Sequence, residues 1–369
     1  MKRKNYVTIY STIFFRFCPT SVMSHVSYIA KNKHILETRA QIIRLIREFF
    51  WSEGFLELET PTILRLPGQE PYLFPMKIDV HNERGETFQG YLHTSPEYTM
   101  KKMLAAGFEK IFSLGKVFRD HESFGGTHNP EFTMIEWYHA HKDFYSLMDD
   151  VEKLIFFVME KLRNEEIKKF GNNVFPHFLI SSFPHFQRAH MRDLWQEYVG
   201  VNLDEYLTVE TMYKLCVARG YTPSKDEPYE DVFFRIFLNE IEMKLPTDVP
   251  IMVHHYPLPM AALSKASATD IGYAERVEMY WGGMELANGF TELTDATEQR
   301  SRLEAEKIQR RAMGKDVFDV DAEFVDAVGQ MPPSAGIALG VDRLVQVITG
   351  EKNIDSVLAL PMSQLFDAK

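Results

Sequence analysis

Strand signals in this chain fall into two clusters separated by a long stretch of helical or weak patterning. In the first cluster, residues 55–60, 91–94, 110–119 and 132–139 read as strands. In the second, residues 251–255, 276–281, short runs near Glu285 and at 290–293, and residues 337–339 do so. Strands gathered at both ends of a helical segment do not alternate as βαβ units, so the pattern predicts an α+β fold.

Helix signals fill the remainder. Ile42, Leu45, Ile46, Phe49 and Phe50 recur at three- and four-residue steps within 37–52, and Gly54 stops that helix. Ser95 opens a second helix, with Pro96 at its first position, that ends near Gly107. Residues 144–162 form an amphipathic helix. From about 164 to 250 the signal weakens, with short helices expected at 188–199, 209–219 and 229–244. A charged helix at 298–313 and a last one at 341–348 complete the reading.

Lys2, Arg3 and Lys4 precede a mildly apolar run, but Thr8, Ser11, Thr12 and Arg16 interrupt it and no small-residue cleavage site follows. The run is too short and polar to span a bilayer. Residues 1–30 are expected to be an irregular extension, the first twenty-odd lying outside the working fold, with Met23 as an alternative start. Two distant cysteines, Cys18 and Cys216, form no metal-binding spacing and read as free thiols of a cytoplasmic protein. The net charge of −11 in 369 residues argues against a polyanion as main partner.

Three constellations carry chemistry. Arg119 opens the polar loop 120–131, which holds Glu122, His128 and Asn129; Phe132, Glu136 and Tyr138 lie on the returning strand. A guanidinium fits phosphate because its planar donors take two oxygens at once, and a ring such as Phe132 stacks on a purine. Alone, each of these residues is an ordinary hairpin tip or core ring. Glu278, Glu285 and Glu292 recur at a seven-residue step, with Asn288 between the last two, among apolar residues. Carboxylates brought together repel unless cations separate them, and magnesium takes one or two of them plus phosphate oxygens. Last, Gly336-Ile-Ala-Leu-Gly340-Val-Asp-Arg343 reads as a strand feeding a helix whose first turn aims Arg343 at an anion.

In this order the segments resemble the signature motifs of class II aminoacyl-tRNA synthetases. Gly54-Phe-Leu-Glu-Leu-Glu-Thr-Pro61 looks like motif 1. Val117-Phe-Arg119 through His128-Asn-Pro-Glu-Phe132 to Tyr138 looks like motif 2, and Gly336 to Arg343 like motif 3. Thr94-Ser-Pro-Glu97 and Glu285-Leu-Ala-Asn-Gly-Phe-Thr-Glu292 point to the lysyl subgroup. Within it the chain is most similar to the elongation factor P (R)-β-lysine ligases, which resemble a lysyl-tRNA synthetase catalytic domain standing alone. The stretch before Glu37 is too short for an OB-fold anticodon domain, and Ala338 stands where lysyl-tRNA synthetases usually have glycine. Phe118-Arg-Asp-His-Glu122 departs from the usual Phe-Arg-Asn-Glu, with a loop one residue longer; Glu122 takes the adenine-side role.

The resemblance implies a class II catalytic core over residues 31–369, a mostly antiparallel sheet flanked by helices, with a helical insert at about 164–250. It implies ATP and Mg2+ as cofactors and formation of an acyl-adenylate. Arg119 and Arg343 are then catalytic. Arg119, Glu122, His128, Asn129, Phe132, Glu285 and Arg343 bind the nucleotide, and Glu278 and Glu285 the metal. Ser95, Glu97, Glu136, Tyr138, Asn288, Glu292 and Ala338 receive lysine or (R)-β-lysine, a diamine being expected because the carboxylates are too many for a neutral substrate. The implied acceptor is a lysine side chain of elongation factor P, in a homodimer formed through motif 1, with neither tRNA nor a membrane as partner. A minimal lysyl-tRNA synthetase and a non-catalytic paralogue are the alternatives.

Overall fold

A computed structural model describes residues 24–170 and 185–366. Among them, eleven strands are present: β1 (Leu56–Glu57), β2 (Ile63–Leu64), β3 (Lys77–His81), β4 (Thr87–Leu92), β5 (Lys110–Phe118), β6 (Glu131–Ala140), β7 (Gln187–His190), β8 (Ile251–Pro257), β9 (Tyr273–Trp281), β10 (Met284–Thr291) and β11 (Ser334–Gly340). Eight of these form one sheet in the order β1-β5-β6-β11-β10-β9-β8-β7. Every internal pairing is antiparallel; only the two outermost, β1 with β5 and β7 with β8, are parallel. A small second sheet has the order β2-β4-β3. This is the α+β architecture expected.

The helices are α1 (His25–Lys31), α2 (Lys33–Ser52), α3 (Glu97–Ala105), α4 (Phe144–Phe170), α5 (Met191–Leu194), α6 (Val209–Ala218), α7 (Tyr229–Ile236), α8 (Ala296–Ala312), α9 (Ala322–Val328), α10 (Val341–Thr349) and α11 (Met362–Leu365). The apolar stripe of α2 is buried through Ile42, Leu45, Ile46, Phe49 and Phe50, against Leu147, Val151, Leu154 and Val158 of α4. This helix pair covers the back of the sheet. Truncating one such buried side chain to alanine costs about 2–5 kcal/mol, which makes the sheet's back face its rigid side.

Residues 1–23, including Cys18, lie outside the described residues. The extension expected to be irregular to residue 30 is helical from His25, because Ser24 caps α1 through its hydroxyl. The helix placed at 188–199 begins instead as strand β7, which adds to the exposed edge of β8 before α5 starts. The two runs near Glu285 and at 290–293 are one continuous strand, β10. The first turn near Ser95 is shifted: Pro96 is the cap and Glu97 the first helical residue. Within the stretch 164–250, residues 164–170 still belong to α4 and residues 171–184 are not described. The remainder has its own core of Met191, Trp195, Leu203, Met212, Phe233 and Phe237, seated on Ile251, Val253 and Tyr256 of β8. Cys216 is buried there as a free thiol. No helix among the described residues is long and apolar enough to cross a membrane.

Candidate active site

The open face of the sheet forms the floor of a cavity of about 790 Å³. Successive strand residues point to opposite faces, so alternate positions share the cavity side. On β6 these are Phe132, Met134, Glu136 and Tyr138; on β11, Gly336, Ala338 and Gly340; on β9, Arg276, Glu278 and Tyr280. Register aligns them in rows. Ala338 lies between Glu136 on one side and Asn288 on the other, and Asn288 faces Glu278. On β10 the alternation is broken by a register shift between Glu285 and Ala287. The extra residue lets Glu285 and Asn288, three apart, both face the cavity; strict alternation would turn one of them away.

At one end sit the cationic groups. Arg119 lies just beyond β5, its guanidinium 5.2 Å from the centre of the Phe132 ring, and its Nε is shielded from solvent without a hydrogen-bond partner among the described residues. Arg343, in the first turn of α10, donates to the carbonyls of Glu285 (2.7 Å) and Thr127 (3.1 Å) and to His128 Nε2 (2.9 Å). That last bond requires a neutral imidazole accepting at Nε2, and burial together with Arg343 does lower the His128 pKa. Glu122 stands 3.8 Å from the same nitrogen. Asn129 is held by structural bonds, donating to Glu131 O (2.6 Å) and accepting from Met362 N (2.9 Å). The carboxylate of Glu285 makes no hydrogen bond among the described residues. Burial and Glu278 push it up to about 7, against the pull of Arg343, Arg276 and Arg119. Glu278 differs: one oxygen accepts from Arg276 (2.6 Å) and the other from the hydroxyls of Tyr256 and Tyr280 (2.6 Å each). The two expected metal ligands are thus unequal, Glu285 open and Glu278 already occupied.

At the other end carboxylates dominate. Glu136 is buried and accepts from Tyr138 Oη at 3.0 Å. Burial and Glu97 push it up to about 8, while the Tyr138 and Ser95 hydroxyls favour its ionised form. Glu97, at the start of α3, lies 2.7 Å from Lys101 one turn later. The same Nζ is 2.7 Å from Glu292. Glu292 is the one expected site residue that does not line the cavity: it is fully buried behind Lys101, which takes the place a substrate ammonium was expected to fill. Gly336 makes this packing possible, since a Cβ there would lie 2.2 Å from the Tyr138 ring and 2.6 Å from Glu292.

The remaining fourteen expected residues besides Glu292, from Ser95 to Arg343, all line this cavity. A family model of class II tRNA synthetases (D, K and N) matches residues 24–364. The chain belongs to that family. Among its relatives, the elongation factor P--(R)-beta-lysine ligase of Avibacterium paragallinarum is 36% identical over 331 residues, 88% of this chain and 94% of that protein. The one from Actinobacillus succinogenes is 36% identical over 338 residues, 90% and 96% of the two chains. That of Hamiltonella defensa subsp. Acyrthosiphon pisum is 35% identical over 331 residues, 88% and 94%.

In this family member the helix preceding motif 1 ties the motif 2 and motif 3 segments together through a buried network. Arg39 of α2 pairs with Asp342 of α10 (2.5 Å) and donates to Thr133 of β6 (2.8 Å), and Asp342 also accepts from Thr133 N (3.1 Å). Sequence reasoning missed several residues. Lys101 carries a legible signal, four residues after Glu97 on one helix face. Arg276, which holds Glu278 and donates to Asn288 Oδ1 at 3.1 Å, carries none, because only the fold brings β9 beside β10. The helical insert also contributes a wall, through Glu230, Asp231, Phe234 and Glu242.

Proposed function

We propose that this protein is an ATP-dependent ligase that activates lysine or (R)-β-lysine as an acyl-adenylate and transfers it to a lysine side chain of elongation factor P. The single observation that carries the reading is the polarity of one cavity. Two arginines and an open carboxylate lie at one end, and the carboxyls of Glu97 and Glu136, backed by the buried Lys101–Glu292 pair, at the other. A triphosphate suits the first end and a diamino acid the second.

In the first step a carboxylate oxygen of the amino acid attacks the α-phosphorus of ATP. The bond from that phosphorus to the bridging oxygen breaks, and pyrophosphate leaves. Arg119, half-buried and with a shielded, unpaired Nε, holds the α-phosphate and the attacking carboxylate; Arg343 holds the γ-phosphate. Phe132 supports the adenine, with Glu122 beside it. Glu285, its oxygens being free, would hold Mg2+, which would supply neutralisation of phosphate charge there, while Glu278 is occupied by Arg276, Tyr256 and Tyr280. Positioning and charge stabilisation supply the acceleration. In the second step an unprotonated amine attacks the acyl carbon, the bond to the AMP oxygen breaks, and the amine loses a proton. Glu97, Glu136, Tyr138 and Asn288 contact the substrate amines, with Glu292 acting through Lys101.

The names of the relatives support elongation factor P as acceptor. The reading includes a homodimer, supported by the exposed Trp51, Leu56 and Ile63 around motif 1. It also places the protein in the cytoplasm, where a translation factor is met. The test is incubation with ATP, (R)-β-lysine or L-lysine, and elongation factor P, with bulk tRNA as the competing acceptor. A mass gain on one lysine of the factor is expected. Charging of tRNA alone overturns the choice of acceptor, and absence of ATP–pyrophosphate exchange with both amino acids overturns the reading as a whole.

A further inference from the structure

Between the two ends of the cavity lies a carboxylate that the motifs do not include. Glu70 lines the cavity from the loop between β2 and β3. Its Oε2 is shielded from solvent and has no hydrogen-bond partner, and no ion pair reaches it among the described residues. The charged groups near it are the carboxyls of Glu97 and Glu306 and the guanidiniums of Arg119 and Arg310. Neither the lysine nor the deep arginine nearby is free to serve it. Lys101 already bridges Glu97 and Glu292. Arg310 donates to the carbonyls of Asp316, Glu70 and Leu73.

The loop is built to hold this side chain where it is. Arg310, fully buried, bonds the backbone of Glu70 at 2.7 Å, and Gln69 bonds Asp319 O at 3.1 Å. Gly68 leaves the room: a Cβ there would lie 2.2 Å from Glu70 Oε2. A carboxylate oxygen shielded from water and left without a partner is costly unless a ligand completes it. Burial and Glu97 hold its carboxyl above the usual range, as expected of an acid awaiting a cation.

Geometry identifies the cation. If the reacting carboxylate lies at Arg119, the amine nearest to it is only two or three bonds away, at about 1.5 Å per bond. That is the space between Arg119 and Glu97, which Glu70 faces. We propose that Glu70, together with Glu97, binds the ammonium group adjacent to the carboxylate of the diamino-acid substrate. Glu136 and the Lys101–Glu292 pair are left to the distal amine. Glu70 then recognises the proximal amine, the feature that separates a diamino acid from a simple ω-amino acid.

This inference rests on the proposed activation of lysine or β-lysine, and its test separates the two. Dissociation constants are measured by titration calorimetry for (R)-β-lysine, L-lysine and 6-aminohexanoate, which lacks the proximal amine, on the parent protein and on Glu70→Gln. Loss of one charge-assisted bond weakens both diamino acids by about 10- to 100-fold, and leaves 6-aminohexanoate within about twofold. Equal weakening of all three ligands, or no change in any, overturns the assignment. Failure of the parent protein to exchange pyrophosphate with either diamino acid is a separate result that overturns the activity, not the placement of Glu70.

Discussion

At the end of the cavity proposed for the phosphates an arginine is held by neutral carbonyl oxygens; at the end proposed for the amines carboxylates are held by a buried lysine. Arg343 donates to the carbonyls of Thr127 and Glu285, which orient its charge without cancelling it. Lys101 partly cancels the charge of Glu97 and Glu292, and burial keeps Glu136 up to about 8. The first end keeps its full charge ready for an anion. The second must exchange protons for the cations it binds, so its affinity depends on pH through Glu136, raised to about 8, whereas at the first end only Glu285, raised to about 7, does so.

The largest break in this comparison comes from the phosphate end. Arg119→Ala is expected to lower kcat/KM for ATP–pyrophosphate exchange by about 10³-fold or more, as loss of an arginine on a transferring phosphoryl group does. A variant within tenfold of the parent protein removes Arg119 from the chemistry. At the amine end, Lys101→Met leaves two buried carboxylates without their cation. Breaking such a pair costs about 3–5 kcal/mol in urea unfolding. Added L-lysine should recover more stability in this variant than in the parent protein; equal recovery shows that the substrate amine does not reach these carboxylates.

The pH dependence sharpens the contrast at smaller size. Glu136, raised to about 8 when the cavity is empty, is protonated at neutral pH, and a bound ammonium lowers its pKa. Binding therefore releases a proton, and KM for the diamino acid falls as pH rises toward about 8, by at most about tenfold per unit for one proton. KM for ATP levels off about one unit lower, where Glu285, raised to about 7, becomes ionised. A diamino-acid KM that rises over that interval contradicts the protonated state of Glu136. The smallest effect is expected at Ala338, whose methyl lies between Glu136 and Asn288. Ala338→Gly should shift the relative KM of L-lysine and (R)-β-lysine by about tenfold or less. An unchanged ratio places substrate choice elsewhere.

Much of the architecture was legible in the chain. The stripe of α2, the β5–β6 hairpin and the β11–α10 corner all stand close to where their periodicity placed them, because those patterns are local. Helix–strand errors came where tertiary contacts override local preference. Gln187–His190 is a strand because β8 offers an unpaired edge. The cavity residues were legible as residue types in motifs, whereas their unequal states were not. Nothing in Glu278 or Glu285 alone tells that Arg276, Tyr256 and Tyr280 occupy the first and leave the second open.

The amino-acid order by itself determined which side chains share a face, since helical and strand periods are properties of a few neighbouring residues. Only the tertiary structure decided which charges meet. The shift that turns Glu285 and Asn288 to the same side depends on the partner strand. The union of Lys101 with Glu292 depends on two segments far apart in the chain. Electrostatic balance is set by distance through space and by exclusion of water, and both come into being only when the sheet, α3 and the insert close around one cavity.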